Sequence, residues 1–258
     1  MSSSAQITEP LPSVAYELGG SPLAVYKASY ARQFLTAALA LGFGALMVFG
    51  ALAAMGEPDS GGIIIAIPLG LLLVGWGLWF IFKAISERDL RVIIMNDGFV
   101  LTRGGSHQVF RWADIANVWQ QVTIHRSYGV KTGTTHRYTV QLKNGTKVVL
   151  TDTLRNVEAL GNTIQEQVTK RILPQAVEAL NAGQSINFGK IQVNPQGLGN
   201  GKQLVPWNEI KGVSVNMGYI SVQKQGKILN WARTSVAETP NVLVFLSLVD
   251  HVVGIRTR

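Results

Sequence analysis

The chain has 258 residues, 47% of them hydrophobic, and a formal net charge of +8 at pH 7. With no cysteine, disulfide frameworks and thiolate chemistry are excluded. A positive mean hydropathy of +0.21 is high for a soluble protein, and the length suits one large domain or two small ones.

Residues 1–20, rich in Ser and Pro, read as a flexible N-terminus. Next, SPLAVYKASYARQF sets Leu23, Tyr26, Tyr30 and Phe34 at helical spacing with Lys27 and Arg32 off the stripe. That pattern fits an amphipathic lead-in at the membrane interface, or equally the frayed start of the helix that follows. Residues 34–55 and 63–82 are two runs without a charged side chain. Each is long enough to cross a hydrocarbon core of roughly 30 Å at about 1.5 Å per residue. With the lead-in they make a two-span hairpin over residues 21–83, joined by GEPDSGG.

The first apolar run begins only at Phe34 and leads to a second span without a small-residue cleavage site, which argues against a cleaved leader. Lys27 and Arg32 precede the hairpin, Lys83, Arg88 and Arg91 follow it, and its connection carries only Glu57 and Asp59. By the positive-inside rule both termini face the cytoplasm, in a multi-pass protein of the inner or plasma membrane. Trp76, Trp79, Phe80 and Phe82 then anchor the cytoplasmic half of the second span. Ala40 with Gly44, and Gly50 with Ala54, offer close helix approach within the hairpin or between copies. Neither span holds an ionisable residue, so an ion path or proton relay is not expected.

Beyond Lys83 the chain is basic, since only Lys27 and Arg32 of its 23 Lys and Arg precede that point. A basic region beside an anionic leaflet is drawn to it, although scattered cations also serve simply as a solubilising surface. LRVIIMN, GFVLTR, HQVFRW, NVWQQVTIHR, HRYTVQLK and TKVVLTD read as strands separated by DG, GG and NG turns. Leu154, Val157, Leu160, Ile164 and Val168 mark a helix to about Lys170, and PQAVEALNA reads as a second short helix between Pro174 and Gly183.

The pattern then restarts. FRWADIANV returns as VPWNEIKGV, with Trp112, Ile115 and Val118 reappearing as Trp207, Ile210 and Val213. RVIIMNDGF is echoed by KIQVNPQGL, and Asn156-Val157 by Asn241-Val242. The second copy lacks a counterpart of SYGVKTGTTH, which reads as a long hairpin loop. Its closing segment, NVLVFLSLVDHVV, is expected to be a helix with Thr239 as N-cap and Pro240 at the first position, with a buried strand as the alternative. The domains are thus residues 88–172 and 184–258, with a linker helix over 173–183.

The W-x-[DE]-I phrase, placed after a GF or GL strand start and before a closing helix, resembles the bacterial pleckstrin-homology-like domains. These include functionally uncharacterised members fused to a two-span hairpin. The resemblance covers residues 88–172 and 184–254. It implies two tandem barrel-like sheets, each closed by a C-terminal helix, Trp112, Ile115, Trp207 and Ile210 filling their cores, and binding or scaffolding rather than catalysis. The fold class is therefore a membrane α-helical hairpin plus an α+β or mostly-β cytoplasmic region.

Little here points to a reaction. His125 and His136 flank the long loop without an acidic residue between them, and no metal or cofactor motif is present. GLGNGK departs from the phosphate-loop spacing and precedes a strand. No recognition helix or aromatic-basic stripe points to nucleic acid. The candidate contact surface is the loop bearing Arg126, Tyr128, Lys131 and Arg137, suited to a lipid phosphate or an acidic partner. Relatives that hold inositol lipids carry a basic first strand pair, which GFVLTRGG and QGLGNGK lack. The leading expectation is a membrane-anchored, non-enzymatic protein that binds an unidentified protein partner or itself. The alternative is sensing of anionic lipid headgroups through residues 125–137.

Overall fold

The computed structural model describes residues 12–55 and 63–253. Part of the N-terminal segment expected to be flexible, residues 1–11, and the connection Gly56–Gly62 lie outside the described residues. The chain divides into two compact units, one of Lys27–Val92 with Leu101–Gln108 and the other of the remainder.

The first unit carries α1 (Ala31–Ala53) and α2 (Ile63–Ser86), both long and apolar enough to cross a membrane. Their outward side chains, including Leu39, Phe43, Phe49 and Leu72, are exposed. Glycines set how closely the helices pack. A Cβ on Gly44 would lie 2.7 Å from the Gly70 carbonyl oxygen, and one on Gly70 would lie 2.8 Å from that of Gly44. A Cβ on Gly50 would meet open space. Just past the end of α2 the Asp89 carboxylate accepts the Gly104 amide at 2.8 Å and the Gly105 amide beside it, while Arg103 pairs with Glu87. These bonds, the one from Gly105 foremost, hold the Asp89 carboxyl below its usual 3.8. The Tyr30 hydroxyl donates to the Glu87 carbonyl; burial, then the Glu87 charge, push its pKa up to about 12.

The expected lead-in helix is not formed. Ala24–Lys27 is a strand, β1, and helix α1 starts only at Ala31. The reason lies in burial and pairing: Leu23 donates its amide to the Ile94 carbonyl at 2.8 Å and Val25 packs against a buried cluster. The flexible N-terminus is likewise corrected from Ser13 on. Ser13–Leu18 is a 3-10 turn whose Ala15 and Leu18 are wholly buried with Ile93, Met95 and Val100.

After α2 come β2 (Arg91–Ile94), β3 (Gly98–Arg103) and β4 (Ser106–Arg111), which join β1 in a sheet of order β1-β2-β3-β4. Then β5 (Ile115–Ser127), β6 (Val130–Leu142) and β7 (Lys147–Thr151) form a three-stranded sheet, followed by α3 (Val157–Asn181). The same succession recurs. β8 (Ile186–Phe188), β9 (Ile191–Asn194), β10 (Gly197–Gly199) and β11 (Leu204–Pro206) form a four-stranded sheet. β12 (Ile210–Asn216), β13 (Tyr219–Lys224) and β14 (Asn230–Ser235) form a three-stranded one, and α4 (Val242–Val253) ends the described chain. The sheets are antiparallel and open; none closes on itself as the expected barrels would.

The phrases around Trp112 and Trp207 fold alike. Each indole Nε1 donates to a carbonyl at 3.0 Å, that of Asn96 or of Pro195, and each tryptophan amide donates to the next residue's carbonyl. A Cβ on Gly98 would lie 2.1 Å from the Phe110 oxygen, and one on Gly197 would lie 1.9 Å from the Val205 oxygen. Only glycine lets the strands meet there. Ile115 and Ile210, which follow the short turns, are both buried.

Two helices were expected between Leu154 and Gly183, yet α3 is continuous through Pro174. Its first half buries Val157, Leu160, Ile164 and Val168, with Gly161 against the Tyr138 ring. Its second half packs Ile172, Leu173, Ala176, Val177 and Leu180 into the core of Phe188, Ile210, Val222 and Phe245. A proline inside a helix costs about 3 kcal/mol, which several apolar side chains at about 1.5 to 3 kcal/mol each offset. The segment expected to be a linker is thus part of a core.

Helix α4 begins at Val242, after the expected cap residues: the Thr239 hydroxyl donates instead to the Ser235 carbonyl at 3.0 Å. Asn241, left-handed at φ 49°, precedes the helix and reaches the first half of the chain. Its amide donates to the Val118 carbonyl at 2.8 Å, its Oδ1 accepts the Val118 amide at 2.9 Å, and its Nδ2 donates to the Ala116 carbonyl at 2.8 Å.

Asn241→Ala should therefore lower unfolding stability by about 2 to 3 kcal/mol, through lost hydrogen bonds and a strained φ. Asn241→Gly should lose less, because glycine tolerates the angle; denaturant unfolding of the two variants checks this, and equal losses would contradict it. Asp89 offers a pH test. Its lowered pKa means that the folded state is favoured above 3.8 and loses that advantage as pH falls through the depressed value. The Gly104 and Gly105 amide resonances should titrate with a midpoint below 3.8, and Asp89→Asn should abolish the titration.

Candidate functional site

Tyr128 and Gly129, at φ 48° and 81°, turn the chain between β5 and β6 in two residues, the geometry that matches strand twist. Of the stretch expected to be a long loop, residues 127–136, all but that turn therefore lies in paired strands, whose register runs from Ile115–Leu142 at the root to Ser127–Val130 at the tip. Val130, Thr132, Thr134 and Thr135 supply the β-branched side chains that favour extension. Cross-strand pairing, not the Gly and Thr content, decides the conformation here.

At its root the hairpin is held by buried Val118, Tyr138 and Val140. The third strand, β7, pairs only with Arg137 to Gln141. Past Gln121 the hairpin is a two-stranded arm. Val122 and Ile124, about half exposed, continue the face that carries buried Val118, and Tyr128 and Val130 expose the tip.

Arg126 and Lys131 are register partners near the tip, just past a bulge, so the fold brings them together with Tyr128. Arg137 pairs with Gln121, six residues back along β6 and roughly 20 Å from Lys131 at 3.3 Å per residue. The four candidate contact residues are thus strung along the arm. Between Asp114 and Asp152 there is no acidic residue, while Arg126, Lys131, Arg137, Lys143 and Lys147 all lie there.

The two histidines do not face each other. His125 Nε2 lies 3.0 Å from the Thr135 hydroxyl. His136 sits where the arm leaves the sheet: its amide donates to Asp152 Oδ2 at 2.6 Å, its Nδ1 lies 3.2 Å from Asp152 Oδ1, and its Nε2 lies 3.7 Å from Glu158 Oε2. Its two nitrogens face separate carboxylates, and no group of three or more such side chains converges on a metal position among the described residues. Burial, then the Glu158 charge, raise the Tyr138 hydroxyl pKa.

A second polar region escaped the sequence reading. A recess of about 480 Å³ lies between the Gly189-Lys190 turn, the Asn200–Lys202 turn and β14 at Arg233. Lys190 is paired with Glu238 at 2.6 Å, and the Arg233 guanidinium stacks 4.0 Å over the Tyr219 ring. GLGNGK contributes Lys202 there as a turn residue, not as a phosphate loop. No local pattern signals such a recess, because its three cations come from separate turns and a strand.

Two helices of membrane-crossing length and a β-rich unit with an exposed cationic arm define the class of protein. The model of the Family of unknown function (DUF6585) matches residues 5–256, and the chain belongs to that family. No curated protein matches it.

Proposed function

We propose that the chain is a membrane-anchored, non-enzymatic binding protein of two tandem pleckstrin-homology-like units, presented to the cytoplasm for protein interaction or self-assembly. The observation that carries this reading is the repeated succession of a four-stranded sheet, a three-stranded sheet and a helix, with matching Trp112 and Trp207 geometry. The first repeat begins with β1, ahead of α1 and α2, so the anchor is an insertion between its first two strands. The positive flanks Lys27, Arg32, Lys83, Arg88 and Arg91 support a cytoplasmic position for both termini.

The runner-up, anionic-lipid sensing through the arm, draws support from the acid-free run and from Tyr128 at the tip. In that reading vesicle binding weakens as salt rises.

The absence of native cysteine makes labelling a clean test. With an impermeant maleimide on intact cells, Ser60→Cys should label from outside and Lys190→Cys only after permeabilisation. In the same membranes, photo-reactive residues at Lys147, Lys190, Leu204 and Asn216 should give discrete protein adducts, at twice the chain mass in the case of self-assembly. Inverted labelling, or no adduct at any position, would contradict the proposal.

A further inference from the structure

We propose that the outer edge of β5, from Gln120 to Ile124, receives an extended acidic segment of a partner protein by strand addition. This rests on the binding-protein reading and adds to it the surface and the chemistry of the partner. The backbone argument begins at Val118, whose N–H and C=O both bond Asn241 and so point away from β6. Pairing with β6 is unbroken from Asn117 to His125, so alternation sends the backbone groups of Gln120, Val122 and Ile124 to that same outer side. Among the described residues none of those groups has a backbone partner there.

Asn241 already occupies one rung of this edge, which shows that the edge accepts backbone pairing from another segment. Past it the ribbon is two-stranded, and such ribbons are marginal in water unless something joins or covers them. An added strand would lay its alternate side chains beside Val122 and Ile124.

Charge selects the occupant. The arm carries Arg126, Lys131 and Arg137 with no acid from Ile115 to Thr151. A second copy would bring the same cations to the same edge and be repelled. An anionic bilayer would satisfy the cations but not the outward N–H and C=O groups. An acidic, extended polypeptide satisfies both.

The test uses the full chain in nanodiscs of neutral lipid and a fluorescent peptide of alternating valine and glutamate, followed by anisotropy. Binding should weaken with salt and be absent for a valine–lysine peptide. Val122→Pro removes an outward N–H and leaves the bonds to β6 intact, and should weaken binding about tenfold. Arg126→Glu with Lys131→Glu should do so to a similar degree while leaving the edge unaltered. Binding indifferent to Val122→Pro would reduce the interaction to charge alone and overturn the proposal. So would the absence of peptide binding together with capture of anionic vesicles that the double charge reversal abolishes, which assigns the arm to lipid. Photo-adducts elsewhere on the protein without peptide binding would leave the binding-protein reading standing and overturn only the edge assignment.

Discussion

Val157, Leu160, Ile164 and Val168 fill one core, and Ile172, Leu173, Ala176 and Leu180, further along the same helix, fill the next. Because α3 is rigid over that length, neither core can loosen without disturbing a helix that the other also buries. Pro174 removes one hydrogen bond in the middle, and apolar burial on both sides holds the helix across the gap. Asn241 fastens the same two halves from the other direction, through a left-handed backbone and hydrogen bonds to Ala116 and Val118. The β-rich unit therefore behaves as one body, and its arm projects from a stiff base.

The apolar helices fit this plan as an insertion. The Ala28 amide donates to the Leu90 carbonyl at 2.9 Å, so the chain leaves and re-enters at neighbouring points. Asp89, Glu87, Arg103 and the Gly104-Gly105 turn tie the end of α2 to a neighbouring hairpin tip.

Much of the fold was legible where a local signal was strong. Uncharged runs gave α1 and α2 to within a few residues, and turn dipeptides with alternating strands gave β2 to β7. The Trp112 and Trp207 phrase marked matching corners. What failed depended on distant partners. β1 was hidden because Leu23, Tyr26 and Tyr30 also suit a helix, and only Ile94 decides for a strand. Pro174 stopped α3 on paper because the core that sustains it lies beyond Gly183. Residues 127–136 of the arm read as a loop because Gly and Thr are ambiguous until β5 and β6 pair. Its cations were visible, but their spacing along the ribbon, and the free edge beside them, are products of register.

The insertion is tested most directly by excising it. Replacing Ser29 to Arg88 with a short glycine-serine linker joins two points that are already hydrogen-bonded neighbours. The account predicts a soluble, strand-rich protein that unfolds in one cooperative transition by circular dichroism, both halves together. An aggregated product, or two separate transitions, would show that the sheet does not close without the apolar helices or that α3 does not unite the cores.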